Sequence, residues 1–130
     1  KRFFRKTMPY ELSIESGFAA AHALRGYKGE CERVHGHNFR VVAHFAAGAL
    51  DDVGIAFDFK ELSTGLDEIV GRLDHTDLNE NEFLQSRNAT AENLAELIYK
   101  ALAERFAGAP AAVRSVTVYE SDRYGATYYE

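Results

Sequence analysis

From Tyr10 to Glu15 the chain alternates without a break, with Tyr10, Leu12 and Ile14 on one side and Glu11, Ser13 and Glu15 on the other. A period of two is the mark of a strand with one buried face and one wet face, and a helix cannot satisfy it. If the pleat continues, Phe18, Ala20 and His22 share the Tyr10 side, unless Gly17 marks a bulge that breaks the phase. After a turn-rich segment from Arg25 to Glu30 a second alternation begins. It places His35, His37, Phe39, Val41, Ala43 and Phe45 on one face and Asn38, Arg40, Val42 and His44 on the other.

The cluster from Gly48 to Gly54 reads as a hairpin connection, and Ile55 to Phe57 as a short returning strand. Asp58 and Glu61 have the spacing of a capping box, after which Leu62, Leu66, Ile69, Val70 and Leu73 recur at helical period. Gly65 and Gly71 weaken that helix, so packing must supply most of its stability. Past a polar stretch from Asp74 to Arg87, Thr90 is the expected N-cap of a second helix. Its stripe is Leu94, Ala95, Ile98, Leu102 and Phe106, and Gly108 and Pro110 stop it. Val116 and Val118 alternate with Thr117 and Tyr119 in another strand, and Thr127 to Tyr129 form a last one. Antiparallel strands with two grouped helices predict an α+β fold, the helices covering one face of the sheet. Closure of several subunits into a barrel would manage its open edges.

The 130 residues hold no repeat, linker or low-complexity tract, so one domain over 1–130 is expected, with residues 1–8 a basic lead-in. A formal net charge of -5 argues against binding nucleic acid through bulk electrostatics, while local Arg and Lys side chains could still take a small anionic substrate. No apolar run is long enough to span a membrane, and no long apolar stretch follows the basic N-terminal residues as a secretory signal requires. Cys31 is the only cysteine. No intramolecular disulfide can form, which favours a reducing compartment, and a cytoplasmic location is expected.

The chemistry is carried by a few polar residues. His35 and His37 lie two apart at the start of a strand and point to the same side, so both imidazoles can reach one ion. Alone, an H-x-H pair is also an ordinary polar strand start, and a single His22 is equally a hydrogen-bonded structural residue. Together they say more, because a hairpin brings the end of the first strand and the start of the second to one end of the sheet. Three imidazoles with no thiolate or carboxylate make the ligand set of catalytic Zn2+. His44 falls on the opposite face. Cys31 precedes His35 by four positions, and a nearby zinc and histidine would lower its pKa from about 8.5 toward neutrality, where a thiolate can act as base. A fourth zinc ligand or an inert thiol are the other readings. Glu120 continues the face of Val116 and Val118, where an inward carboxylate needs a partner such as an edge with two N–H donors; a strand-end glutamate reaching water is the plainer account. Asp74 and His75 are adjacent and can form a proton relay, although neighbours in a loop often form none.

Taken in order, the segments resemble the family of 6-pyruvoyltetrahydropterin and 6-carboxytetrahydropterin synthases. They are Phe18-Ala19-Ala20-Ala21-His22, Cys31-Glu32-Arg33-Val34-His35-Gly36-His37-Asn38 and Asp58-Phe59-Lys60-Glu61-Leu62. Leu73-Asp74-His75, Leu78-Asn79, Asn88-Ala89-Thr90-Ala91-Glu92-Asn93-Leu94-Ala95 and Val118-Tyr119-Glu120 complete the series. The resemblance implies a T-fold, an antiparallel four-stranded sheet with two helices packed on one face. It also implies assembly into a barrel and a homohexamer of two trimers, with active sites between subunits. On this resemblance His22, His35 and His37 hold Zn2+, Cys31 accepts protons, and Asp74 with His75 forms a relay able to serve a neighbour's Cys31. Glu120 anchors the pterin ring and is grouped with the catalytic residues.

The C-x3-H-G-H spacing is similar to that of the bacterial 6-carboxytetrahydropterin synthases of queuosine biosynthesis, whereas animal-type pyruvoyl enzymes usually have two more residues there. A third branch, resembling a folate-pathway aldolase, carries glutamate at the cysteine position, and Cys31 argues against it. Ala89 stands where proline is common and Ser121 where threonine is common. The implied enzyme is a zinc-dependent carbon–oxygen and carbon–carbon lyase. It converts 7,8-dihydroneopterin triphosphate to 6-carboxytetrahydropterin, releasing acetaldehyde and triphosphate. The alternative is 6-pyruvoyltetrahydropterin synthase, with triphosphate elimination in a tetrahydrobiopterin-type pathway; a non-catalytic zinc or pterin-binding module is more remote. Arg25, Lys28 and Arg33 lie near the motif as cations for phosphate, without assignment.

Overall fold

In the computed structural model, which describes residues 8–26, 28–29 and 33–130, the two alternating stretches form the longest strands. Strand β1 (Tyr10–His22) pairs antiparallel with β2 (His35–Ala47) in unbroken register, from Tyr10 opposite Ala47 to His22 opposite His35. Gly17 therefore does not interrupt the pleat, and Ile14, Phe18, Ala20 and His22 are all buried on one face. Its small size serves a close approach instead, since a Cβ there would meet the Phe39 carbonyl oxygen at 2.9 Å. The irregularity lies elsewhere, between β2 and β4 (Ala111–Tyr119), where the partners of His44 and Phe45 step from Ser115 to Val113. Arg114 is the extra residue, and its guanidinium pairs with Glu11 at 3.3 Å.

No strand forms at residues 55–57. Asp51 holds this loop locally: its carboxylate accepts from the Val53 and Ile55 N–H groups at 2.9 and 3.0 Å, and its own N–H donates to the Ile55 carbonyl at 2.9 Å. Backbone groups used in this way are not free to extend a hairpin with β2. Helix α1 (Phe59–Gly71) starts at Asp58, whose carboxylate accepts from the Lys60 N–H at 2.8 Å. The Glu61 N–H turns to the Asp58 carbonyl, so the expected capping-box spacing is realised as a simple N-cap. Leu62, Leu66, Ile69, Val70 and Leu73 are buried as one stripe. Gly65 is a packing site, because a Cβ there would come within 2.5 Å of the Phe106 ring.

The sheet has five strands where four were expected, in the order β3-β1-β2-β4-β5. The addition is β3 (Thr76–Asp77), two residues parallel to Ala20 and Ala21 of β1, too short for any periodicity to register. Two 3-10 turns, Leu78–Glu80 and Glu82–Leu84, complete this polar stretch. Thr90 caps helix α2 (Ala91–Arg105) by accepting from the Asn93 N–H at 3.1 Å, and β5 (Gly125–Tyr129) returns antiparallel to β4.

The result is the expected α+β arrangement. Phe39, Val41, Ala43 and Phe45 of β2 form a core with Ile14, Phe18, Val116 and Val118 and the apolar stripes of both helices. The other face of the sheet is polar, with Arg40 paired to Glu15 at 3.2 Å and His44 facing Glu11 at 3.4 Å. The basic lead-in, apart from Met8, and Cys31 lie outside the described residues. Among the described residues no helix is long and apolar enough to cross a membrane.

Candidate metal centre

Because β1 ends and β2 begins with histidine on the core face, the last rungs of the ladder bring His22 opposite His35 and His37 opposite Ala20. The ligand atoms of His22, His35 and His37 lie within 4.8 Å of one another, forming a group that can hold a metal ion. Their ring centroids are 4.5, 4.8 and 5.0 Å apart. The Nδ1 atom of His22 is 2.7 Å from the Ala89 carbonyl, and that of His35 is 2.7 Å from the Arg33 carbonyl. A carbonyl only accepts, so both rings donate from Nδ1, which in a neutral imidazole leaves the lone pair on Nε2. Metal-binding histidines are oriented by the same kind of outer hydrogen bond.

His22 is fully buried, and its Nε2 has no hydrogen-bond partner among the described residues. An unpaired buried acceptor costs about 1–3 kcal/mol. A cation would relieve that cost, and three neutral imidazoles are the donor set that suits zinc while leaving a coordination position for substrate. Burial holds the His37 imidazole below its ordinary pKa; Glu120 opposes that effect, and His22 and His35 reinforce it. The neutral form is the one that can bind a metal. Beneath the rings lies a feature that the sequence reading did not single out. Phe39 packs edge-on against His22 and His37 at 5.5 and 5.4 Å and stacks on Phe18 at 4.7 Å. The alternation placed both phenylalanines on this face, on its next rung from the one that pairs His37 with Ala20. The carbonyls of Ala89 and Arg33 have no side-chain signature at all.

Glu120, immediately after β4, is half-buried with its Oε2 3.8 Å from His22 Nε2. Asp74 and His75 form a pair of their own on the β1 edge, outside the three-histidine group. Asp74 accepts from the Ala19 N–H at 2.9 Å and pairs with His75 Nδ1 at 3.0 Å. The Ala19 N–H first, and His75 second, hold the Asp74 carboxyl below the usual carboxylate range. His75 has a left-handed backbone, φ 59°, and its side chain is 82% exposed. Of the cations near the motif, Arg25 donates to the Asn79 carbonyl at 2.9 Å, and Lys28 and Arg33 are exposed.

The family model for 6-pyruvoyl tetrahydropterin synthase matches residues 11–130. The chain is 38% identical over 120 residues to the 6-carboxy-5,6,7,8-tetrahydropterin synthase of Synechocystis, covering 88% of this chain and 89% of that protein. It is 35% identical over 95 residues to the protein of the same name from Bacillus subtilis, covering 69% and 63%. In fold it matches the Caenorhabditis elegans 6-pyruvoyl tetrahydropterin synthase with a TM-score of 0.81 at 24% identity, over 93% of this chain and 95% of that one.

Proposed function

The chain belongs to the 6-pyruvoyl tetrahydropterin synthase family, an enzyme family, and on that premise we propose that it is a zinc-dependent 6-carboxy-5,6,7,8-tetrahydropterin synthase. It would convert 7,8-dihydroneopterin triphosphate and one water to 6-carboxytetrahydropterin, acetaldehyde and triphosphate, as a step toward queuosine in the cytoplasm. The observation that carries the reading is the buried Nε2 of His22, beside two further imidazoles and without a hydrogen-bond partner among the described residues. His22, His35 and His37 would hold the zinc, which would supply Lewis-acid polarisation to the substrate side chain. Cys31 takes and returns protons on that side chain. Glu120 would receive the two N–H donors of the amino-pyrimidinone edge, and its nearness to His22 supports a ring lying beside the metal. Asp74 orients His75, whose exposed imidazole suits a relay to a neighbouring subunit's Cys31 in a hexamer of two trimers.

The four-position spacing of Cys31 and His35 favours the carboxy product over the pyruvoyl one. Zinc-loaded protein incubated with 7,8-dihydroneopterin triphosphate should release acetaldehyde, read by coupling to an aldehyde-reducing enzyme. Mass analysis should find 6-carboxytetrahydropterin. Triphosphate release without acetaldehyde would replace this reading with the pyruvoyl reaction. Pterin binding with neither product would leave a silent binding module.

A further inference from the structure

Resting on the reading of His22, His35 and His37 as metal ligands, we infer that Asn79 and Asn88 are positioning residues for that centre, fastening the chain on the far side of His22. Strand β1 ends at His22, and the backbone beyond it has no sheet partner among the described residues. Its N–H and C=O groups must be satisfied by other means. Two carboxamides do this. Asn79 accepts from the Ala23 N–H at 2.7 Å and donates to the Ala23 carbonyl at 2.9 Å. Asn88 accepts from the Arg25 N–H at 3.0 Å and donates to the Arg25 carbonyl at 3.1 Å. Each side chain offers one acceptor and a donor pair, which is what a neighbouring strand would offer. They continue the edge on which Asp74 holds Ala19 and β3 pairs with Ala20 and Ala21.

The Asn88 clamp reaches the metal centre through one peptide unit. The next residue, Ala89, supplies the carbonyl that holds His22 Nδ1, so Asn88 ties that carbonyl to the segment directly following His22. Asn93 fixes the same backbone by donating to the Asn88 carbonyl at 2.8 Å, and Arg25 closes the circuit by donating to the carbonyl of Asn79. Releasing Asn88 unties the Ala89 carbonyl from the chain after His22, and releasing Asn79 frees that chain at Ala23; in either case His22 Nε2 loses its fixed aim.

The test uses the whole chain with Zn2+ and Co2+ alone, without substrate. Asn79→Ala and Asn88→Ala should bind zinc about 10–100-fold more weakly in competition with a chromophoric chelator, the range for outer hydrogen bonds to ligating histidines. They should also alter the visible absorption of bound Co2+, which reports ligand geometry. Asn88→Asp keeps the acceptor for the Arg25 N–H, loses the donor to the Arg25 carbonyl and adds a negative charge. It should show a smaller loss, and it carries the test if the alanine variants do not fold. Asn81→Ala removes bonds to the Arg72 carbonyl and Thr76 hydroxyl and one from the Phe83 N–H, a loss at least as large and away from His22. It should leave affinity and spectrum unchanged. Wild-type affinity and spectrum in folded Asn88 variants, or an equal loss in Asn81→Ala, overturns the positioning role and leaves the metal reading standing. Zinc binding by the wild type that is indifferent to His37→Ala overturns both.

Discussion

His22 and His35 face each other as the last rung of a ladder that runs without interruption from Tyr10 and Ala47. Two strands thus share one reading frame over thirteen residues each and end together on imidazole. The frame also determines which histidines are left out. His44, an odd number of positions from Phe39 and Val41, faces Glu11 on the opposite side of the sheet. Metal analysis should therefore find zinc affinity reduced at least about 100-fold in His35→Ala and His37→Ala, beyond the loss from an outer hydrogen bond. His44→Ala should retain full occupancy, and equal loss there would contradict the assignment of faces.

Removing a base should not empty the site. Cys31→Ala is expected to keep its zinc and its melting temperature while turnover falls about 10²–10⁴-fold. A fall in zinc content with the thiol would make Cys31 a ligand. Glu120→Gln should chiefly weaken pterin binding in calorimetry, because a neutral amide cannot accept from two N–H donors as a carboxylate does.

Acid should act on the edge of β1. The folded-state value of Asp74 lies below its ordinary 3.8, so its contribution to stability is complete above that pH and is lost as pH falls through the lower folded value. Urea midpoints measured from about pH 6 to about pH 2 should drop less steeply at the acid end in Asp74→Asn than in the wild type. Parallel curves would assign no such role to the carboxylate.

The two glycines of α1 should respond with opposite signs. Helix propensity alone says that alanine at either position stabilises by about 0.5–1 kcal/mol. Gly71 has open space around it and should follow that rule. Gly65 should not, because the Phe106 ring in the way is buried against Phe45 and Phe57 at 5.6 and 5.9 Å and has little room to move. Gly65→Ala is expected to cost about 1–3 kcal/mol in thermal or urea unfolding.

What could be read from the chain itself depended on length and period. The long alternations of β1 and β2 and the stripes of both helices each supply many residues in phase, so the elements, the core face and the meeting of three histidines followed from them. The segment at 55–57 misled because its three residues carry the composition of a strand, whereas Asp51 claims both backbone groups of Ile55 locally. With only two residues, β3 has no phase to detect, and the fifth strand went unseen. The carbonyls that set the ring tautomers belong to Ala89 and Arg33, whose side chains have no part in the contact. The relation of Cys31 to these rings rests on its four-position spacing from His35.

The extra residue in β4 has an arithmetic consequence. Opposite the inward positions Val41 and Ala43 stand Val118 and Val116, both even-numbered; opposite Phe45 and Ala47 stand Val113 and Ala111, both odd. One strand therefore offers even positions to the core at one end and odd positions at the other, and the change of parity happens at Arg114. Counting back by twos from Val116 without that change would send Arg114 and Ala112 inward and leave Val113 and Ala111 facing water. A sheet of uniform pleat could not accept this stretch of chain without burying a guanidinium. By taking up one position, the irregularity keeps both halves of β4 apolar toward the helices and leaves Arg114 beside Glu11.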